Sequence, residues 1–249
     1  NIVRTLSKKM NAYFSAGFGY HSNDARGTVI SIDPVSGLPA DKVDPLVRSE
    51  GAEVGFRYIS EGRLNVSASL WILELDSELL FVGDAGNTEP TRASRRYGLE
   101  VPAYYRLNDN LLVDFELALT RSAYTGSSNG EDEIPGSLER VMAAGIVASS
   151  ENGMYSTVRV RHFGDRPLLE NGSIRSGDST VWNLGLGYKR KNLDFRIELL
   201  NAFDSSDDDI TYYYESRLQS EPPGGVAGVH FHPIEPQTYR AYVTWYSDR

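Results

Sequence analysis

Alternate residues of NLDFRIELLNAFD (Asn192–Asp204) divide by polarity. Leu193, Phe195, Ile197 and Leu199 are apolar, while Asp194, Arg196 and Glu198 are charged. A strand points successive side chains to opposite faces, so this stretch is a one-sided strand. It suits a half-buried sheet with its polar face in water, or a membrane-barrel wall with its apolar face on lipid. Leu111–Tyr124 repeats the pattern, with Leu111, Val113, Phe115, Leu117 and Leu119 against Asp114, Glu116, Ala118, Thr120 and Ser122. In Arg95–Leu107 the apolar phase carries Tyr97, Leu99, Val101, Ala103 and Tyr105; Pro102 within it suggests an edge strand or a bulge, because proline cannot donate to a ladder. In Arg63–Val82 the phase moves from even (Leu64 to Ile72) to odd (Leu73, Leu75), which predicts a β-bulge near Ile72. Period-two segments near residues 11–21, 51–60, 63–82, 95–107, 111–124, 140–150, 154–163, 179–190, 193–204 and 237–246 predict about ten strands, and no long helical period competes with them.

The connections alternate in length. SEGR (Ser60–Arg63), LNDN (Leu107–Asn110), SENG (Ser150–Gly153) and KRKN (Lys189–Asn192) are short polar turns suited to hairpins. Between them lie long stretches around 22–50, 83–94, 126–139, 164–178 and 204–236. Outer-membrane barrels follow this rule, with short periplasmic turns and long external loops. The fold expected is therefore all-β, an antiparallel up-and-down transmembrane barrel or barrel portion over residues 1–249. An even strand number would put both chain ends on the short-turn side. Leu193, Phe195, Ile197 and Leu199 would then face lipid.

Composition agrees without deciding. A mean hydropathy of -0.38 with no unbroken apolar run argues against spanning helices but not against barrel strands, whose average stays low. Fifteen Tyr against 9 Phe and 3 Trp suit positions with one wet and one apolar end. The absence of cysteine excludes disulfide and thiol chemistry. A net charge of -9 disfavours nucleic acid as a partner. The opening NIVRTLSKKMNAYF has no signal-peptide pattern, which fits a cytosolic chain, a mature form or a fragment.

Several stretches together carry a family likeness: NAYFSAGFGYHSNDARG (Asn11–Gly27), SASLWILELDSELLFVGDAG (Ser67–Gly86), SRRYGLE (Ser94–Glu100), IELLNAFD (Ile197–Asp204) and PQTYRAYVTW (Pro236–Trp245). In this order they resemble late-barrel strands of TonB-dependent outer-membrane receptors, IELLNAFD the penultimate strand and PQTYRAYVTW the closing one. Such receptors hold an N-terminal plug inside a barrel of about 22 strands. This chain resembles only the C-terminal part of that barrel, with no plug and no energy-coupling box. Family chains usually end on an aromatic residue; here Ser247 stands at that place, followed by Asp248 and Arg249. The resemblance implies an outer-membrane receptor for a metal chelate, vitamin or similar scarce ligand. Its partners would be outer-membrane lipid, the small-molecule ligand and, given a plug upstream, the inner-membrane energy-coupling complex. No cofactor is implied, and no enzymatic activity.

Candidate chemistry is sparse. His230 and His232, two apart in VHFHPIEP, would share a strand face and could hold a metal; Pro233 and the nearby PPGG favour a metal-free loop pair. His21 and His162 fall at strand ends without companion spacing. SSDDDITYYYES (Ser205–Ser216) and EDEIPG (Glu131–Gly136) read as solvated acidic loops, since neither has calcium-loop spacing. TYYY reads as an aromatic ledge for a ligand or as an interface girdle. Glu53, Arg57, Asp114, Glu116, Arg159, Arg161, Arg196 and Glu198 share the polar phase and would line a lumen. They would act as a selectivity lining or, as the favoured reading, as a cross-strand salt-bridge lattice. A passive pore or structural scaffold is the alternative to the receptor. A membrane-embedded hydrolase ranks last, since His162 with nearby Asp165 lacks a second pair.

Overall fold

A computed structural model describes residues 1–23, 25–32, 37–39, 42–60, 62–77, 79–82, 87–90, 92–126 and 130–247. In chain order its elements are β1 (Ile2–Ser7), β2 (Met10–Ser22), α1 (Ala25–Val29), β3 (Leu46–Ser60), β4 (Leu64–Leu75), β5 (Leu79–Val82), β6 (Asn87–Pro90), β7 (Ser94–Asn108), β8 (Leu111–Tyr124), β9 (Arg140–Ser149), β10 (Met154–Phe163), β11 (Ser179–Arg190), β12 (Leu193–Leu200), β13 (Asp208–Ser216), β14 (Val226–Pro233) and β15 (Thr238–Trp245). Eleven strands form one sheet in the order β1-β2-β3-β4-β7-β8-β9-β10-β11-β12-β15. Every neighbouring pair in it is antiparallel. The hairpins β5–β6 and β13–β14 stand apart from this wall, inside two of the long connections. The sheet is open: among the described residues β1 and β15 each pair on one side only.

The expected alternation of short and long connections holds along the whole sheet, with a further tight turn at Lys8–Lys9. That turn belongs to β1, which the alternation pattern did not disclose. With eleven strands, Ile2 lies at the long-connection end and Trp245 at the short-turn end, so the two ends do not share a side.

Cross-strand partners lie on the same face, so the register sorts the residues. Phe14, Val54, Leu70, Leu99 and Leu119 form one continuous row. Val113, Ile146, Val158, Leu184 and Leu199 form another on the same face. Leu193, Phe195 and Ile197 share it and are exposed. Leu111, Val113 and Phe115 share it half-buried, flanked by β7 and β9 on both sides.

Two local expectations are overturned. There is no bulge at Ile72: β4 pairs with β3 in unbroken register from Ser60–Leu64 to Ser49–Leu75. Leu73 and Leu75 instead stand on the same face as Ser69 and Trp71, where Leu75 is buried; the polar face itself turns apolar near the long connections. Pro102 is not at an edge. It pairs with Glu116 in the middle of the sheet, and the ladder to β4 is interrupted beside it, between Val66–Ala103 and Ser69–Glu100.

NAFD has a structural role. Asn201 is buried and left-handed at φ 46°, a conformation asparagine tolerates better than most residues. Its Nδ2 donates to the Ser205 and Glu235 carbonyls at 2.8 and 3.2 Å, and its Oδ1 accepts from the Ser205 amide at 2.9 Å. Asp204 accepts from the Gln237 amide at 3.1 Å, and Phe203 meets Trp182 edge-on at 6.0 Å. This corner joins the end of β12 to the start of β15 across the 201–237 connection. Asn201→Ala should destabilise the folded protein by about 3 kcal/mol, from lost hydrogen bonds and left-handed strain. The urea midpoint in detergent measures it, and Asn201→Gly, which removes only the strain, should recover a minor part of the loss.

Candidate functional site

The polar face is the first candidate. The register puts Glu53, Arg57, Asp114, Glu116, Arg159, Arg161, Arg196 and Glu198 all on one face of the sheet. Arg159 on β10 holds both oxygens of Asp114 on β8, at 3.1 and 3.2 Å, reaching across β9. Arg196 pairs with Glu198 on β12 and lies 6.0 Å from the Tyr242 ring. Arg161 sits 4.9 Å over the Phe163 ring. Glu53 and Glu116 are engaged by tyrosines rather than arginines, through Tyr13 Oη at 2.7 Å and Tyr104 Oη at 3.1 Å.

Glycines make these flat arrangements possible. A Cβ on Gly145 would come within 2.8 Å of the Asp114 carboxylate and Arg159 Nη1. A Cβ on Gly55 would strike the Tyr13 ring at 2.7 Å, one on Gly187 the Tyr155 ring at 2.1 Å, and one on Gly98 would touch Trp71 at 3.0 Å. Each long side chain lies over a bare stretch of the adjacent strand. Tyr155 thereby crosses β11 and donates to Asp194 on β12 at 2.8 Å. The tyrosines were not singled out from sequence. Their signal is a polar-phase aromatic registered against a strand glycine, which needs the pairing to be known.

The second candidate is a folded pair of segments, 130–139 and 164–178, from two of the long connections. EDEIPG is not a solvated acidic loop. Ile134 is only 1% exposed, and Pro167, Leu168, Tyr124 and Ser94 are buried with it. The Glu133 amide donates to the Glu170 carbonyl at 2.9 Å and the Gly136 amide to that of Pro167 at 2.8 Å, tying the two connections together. Around this core runs a chain of ion pairs. Arg121 meets Glu133 at 3.0 Å and Glu139 at 2.7 Å; Arg175 meets Glu139 at 3.1 Å and Asp165 at 2.6 Å; Arg140 meets Asp165 at 2.5 Å. The hydrogen bond from Arg175, reinforced by Arg140, holds the Asp165 carboxyl below the ordinary aspartate range. Asp165 is thus committed to arginines, and His162 Nδ1 lies 2.8 Å from Thr180 Oγ1, so the two do not pair as a catalytic dyad.

Between the 130–139 segment and the polar face lies a cleft of about 440 Å³, lined by Trp71, Arg96, Thr120 and Ser122 from the strands and by residues 134–138. His230 and His232 lie on strand β14 rather than in a loop, opposite Tyr212 and Ile210, and His230 stacks on Tyr214 at 3.9 Å. Among the described residues no three potential metal ligands converge. Of the SSDDD acids, Asp207 accepts from the Thr180 amide at 2.8 Å, and Asp208 and Asp209 open β13.

Because the folded-state pKa of Asp165 is depressed, its contribution to the joined connections is complete above the ordinary value of 3.8 and is lost as pH falls through the lowered one. Hydrogen exchange at the Gly136 and Leu168 amides, corrected for intrinsic rates, should stay flat from about pH 7 to about pH 5 and quicken only in stronger acid. Asp165→Asn should produce the acid behaviour at neutral pH; unchanged exchange in that variant would show that the ion pairs do not hold the connections.

A family model described as TonB dependent receptor-like, beta-barrel matches residues 10–202. No curated protein matches the sequence. Among solved structures, the closed form of the ferric-catecholate import receptor Fiu from E. coli K12 superposes with a TM-score of 0.73 at 16% identity, over 98% of this chain and 34% of that one. The copper transporter OprC gives 0.71 at 17% identity, over 98% and 38%. The ferric yersiniabactin uptake receptor FyuA from Yersinia pestis gives 0.67 at 16%, over 96% and 36%. The chain thus spans about a third of the length of the receptors it superposes on. The matched family is one of receptors, not of enzymes. With the one-sided antiparallel meander and its alternating connections, the match assigns the chain to the TonB-dependent receptor family, as part of an outer-membrane β-barrel.

Proposed function

We propose that residues 1–249 form one stretch of wall in a receptor that imports a scarce, bulky ligand across the outer membrane. The ligand class is a metal chelate, a vitamin or a compound of similar size. The observation that carries this is the open, one-sided sheet: eleven strands, about half of a 22-stranded transporter, with β1 and β15 each lacking a second neighbour among the described residues. Lipid cannot satisfy an edge strand's donors and acceptors, so this sheet calls for further strands to close it. The solved relatives named for ferric-chelate or copper transport support the ligand class. In this reading the face with Glu53, Arg57, Asp114, Glu116, Arg159, Arg161, Arg196 and Glu198 lines the lumen, and the Ile197 face meets lipid. The inner-membrane energy-coupling complex is the partner, acting through a plug. The alternative, a small stand-alone barrel serving as a pore or scaffold, requires β1 to pair with β15, and no such ladder exists among the described residues.

Two measurements test the reading. Deleting the gene should abolish uptake of a labelled ferric chelate from a siderophore panel, and that uptake should be sensitive to an uncoupler in the parent strain. Uptake that survives deletion for every member would overturn the receptor function. Separately, Ile197→Arg should lower folding stability in bilayers by about 2–4 kcal/mol, the cost of arginine on a lipid face near mid-depth. Arg196→Ala, on the opposite face, should cost about 1 kcal/mol or less. Equal costs would reject the assignment of faces.

A further inference from the structure

The short turns differ in charge. SEGR, LNDN and SENG each carry an acid, whereas KRKN (Lys189–Asn192) carries three bases and no acid, in a chain of net charge -9. The register divides the three bases. Lys189 stands opposite Asp194 on the polar face, with its Nζ 5.0 Å from the centroid of the Tyr246 ring. Arg190 stands opposite Leu193, and Leu193 opposite Trp245, so the arginine belongs to the apolar face. Lys191 turns the chain between the two strands at φ 49°. Arg190 and Lys191 are exposed, and among the described residues neither side chain makes an ion pair or a hydrogen bond.

Immediately above this row the same face is greasy. Leu193, Phe195 and Val243 are exposed, Tyr188 stands opposite Phe195, and Trp245 is 69% exposed beside Leu193. Trp and Tyr settle at bilayer boundaries because one end of each is apolar and the other polar. Short turns lie on the periplasmic side of such barrels. The row Arg190–Leu193–Trp245 therefore marks the periplasmic edge of the lipid-facing surface, where a lipid changes from acyl chain to phosphate. A phosphate at that level meets a guanidinium able to donate two parallel bonds, an ammonium and an indole N–H. Asp194, the acid nearest in register, faces the other way. The amine of a zwitterionic lipid thus finds no acid in this row, whereas a headgroup of net negative charge is matched by two bases.

We propose that Arg190, Lys191 and Trp245 form a site for the headgroup phosphate of an anionic phospholipid in the periplasmic leaflet, with its acyl chain lying on Leu193 and Phe195. The site rests on the reading above that the Ile197 face meets lipid. It is independent of what the receptor carries.

The test uses the full-length protein in phosphatidylcholine vesicles that contain a fraction of brominated lipid, either phosphatidylglycerol or phosphatidylcholine. Both leaflets have the same composition, so the direction of insertion is immaterial. Bromine quenches nearby tryptophan, and subtracting the signal of the matching Trp245→Phe protein isolates Trp245. Brominated phosphatidylglycerol should occupy the Trp245 position about fivefold more tightly than brominated phosphatidylcholine. Arg190→Gln should bring that ratio close to one, and Lys191→Gln should lower it. Lys189→Gln makes the same charge change in the same turn on the opposite face and should leave the ratio unchanged. Heat-modifiable migration on gels identifies the folded variants, and either Arg190→Gln or Lys191→Gln suffices.

A ratio near one in the parent would overturn the proposal, as would a parental ratio in folded Arg190→Gln or Lys191→Gln. A fall in Lys189→Gln as large as in Arg190→Gln would show diffuse attraction to the membrane surface instead of a site. The two readings fail separately. Equal quenching by both lipids removes the headgroup site and keeps the lipid face; absence of quenching by either removes both.

Discussion

Backbone amides and carbonyls next to lipid have no water to bond with, so each must find a partner in the protein. That constraint accounts for most of the molecule. It selects an antiparallel meander in which each wall strand lies beside the next wall strand in sequence, so short turns of two to four residues suffice at one end. It requires long continuous ladders, and the β2–β3 pairing runs without a break from Met10–Tyr58 to Ser22–Leu46. It also fixes register firmly, because a slip by one residue would exchange the Ile197 row for the Arg196 row along the whole strand.

The polar face answers a second problem, how to keep charged side chains ordered on a sheet face that no second layer covers among the described residues. Here they are laid flat. Strands are about 4.8 Å apart, so a tyrosine or arginine can span one neighbour and reach the next, provided the strand between presents glycine. Gly145 under Asp114–Arg159 and Gly187 under Tyr155 are the clearest cases. Exposed ion pairs alone contribute about 0–1 kcal/mol each. Their value in this arrangement lies more in fixing which strand sits beside which than in bulk stability.

How far this was legible in the sequence follows from the range of the interactions. Strand phase and connection length are local, so the one-sided strands, the meander and the shared face of the eight charged residues could all be read directly. Whatever depended on distant contacts could not. Ile134 sits in EDEIPG, which is acidic and turn-rich, and only Pro167 and Leu168, some thirty residues on, explain its burial. Leu73 and Leu75 looked like a phase error because a polar face was assumed to remain polar to its end. Pro102 looked like an edge residue because nothing local shows that the ladder beside it is broken. β1 is short and carries arginine and threonine among its apolar residues, so only its pairing with β2 identifies it. Asn201 belonged to a recognised motif, but its three side-chain bonds to the 205 and 235 backbone became visible only with β15 in place.

The joined 130–139 and 164–178 segments have a consequence for anyone redesigning or immunising with this surface. They share one core and one set of ion pairs, so neither is a separable module. A graft that transplants only one would carry half an interface and present a shape the parent never had. An epitope tag set between Asn171 and Gly172, where the chain turns at φ 64°, lies beside the Glu133–Glu170 hydrogen bond that ties the two connections but outside the buried Ile134–Leu168 core. The same tag set at Ile134 would split it and expose both connections as loose peptide, and antibodies raised against that form would recognise the unfolded segment rather than the cell surface.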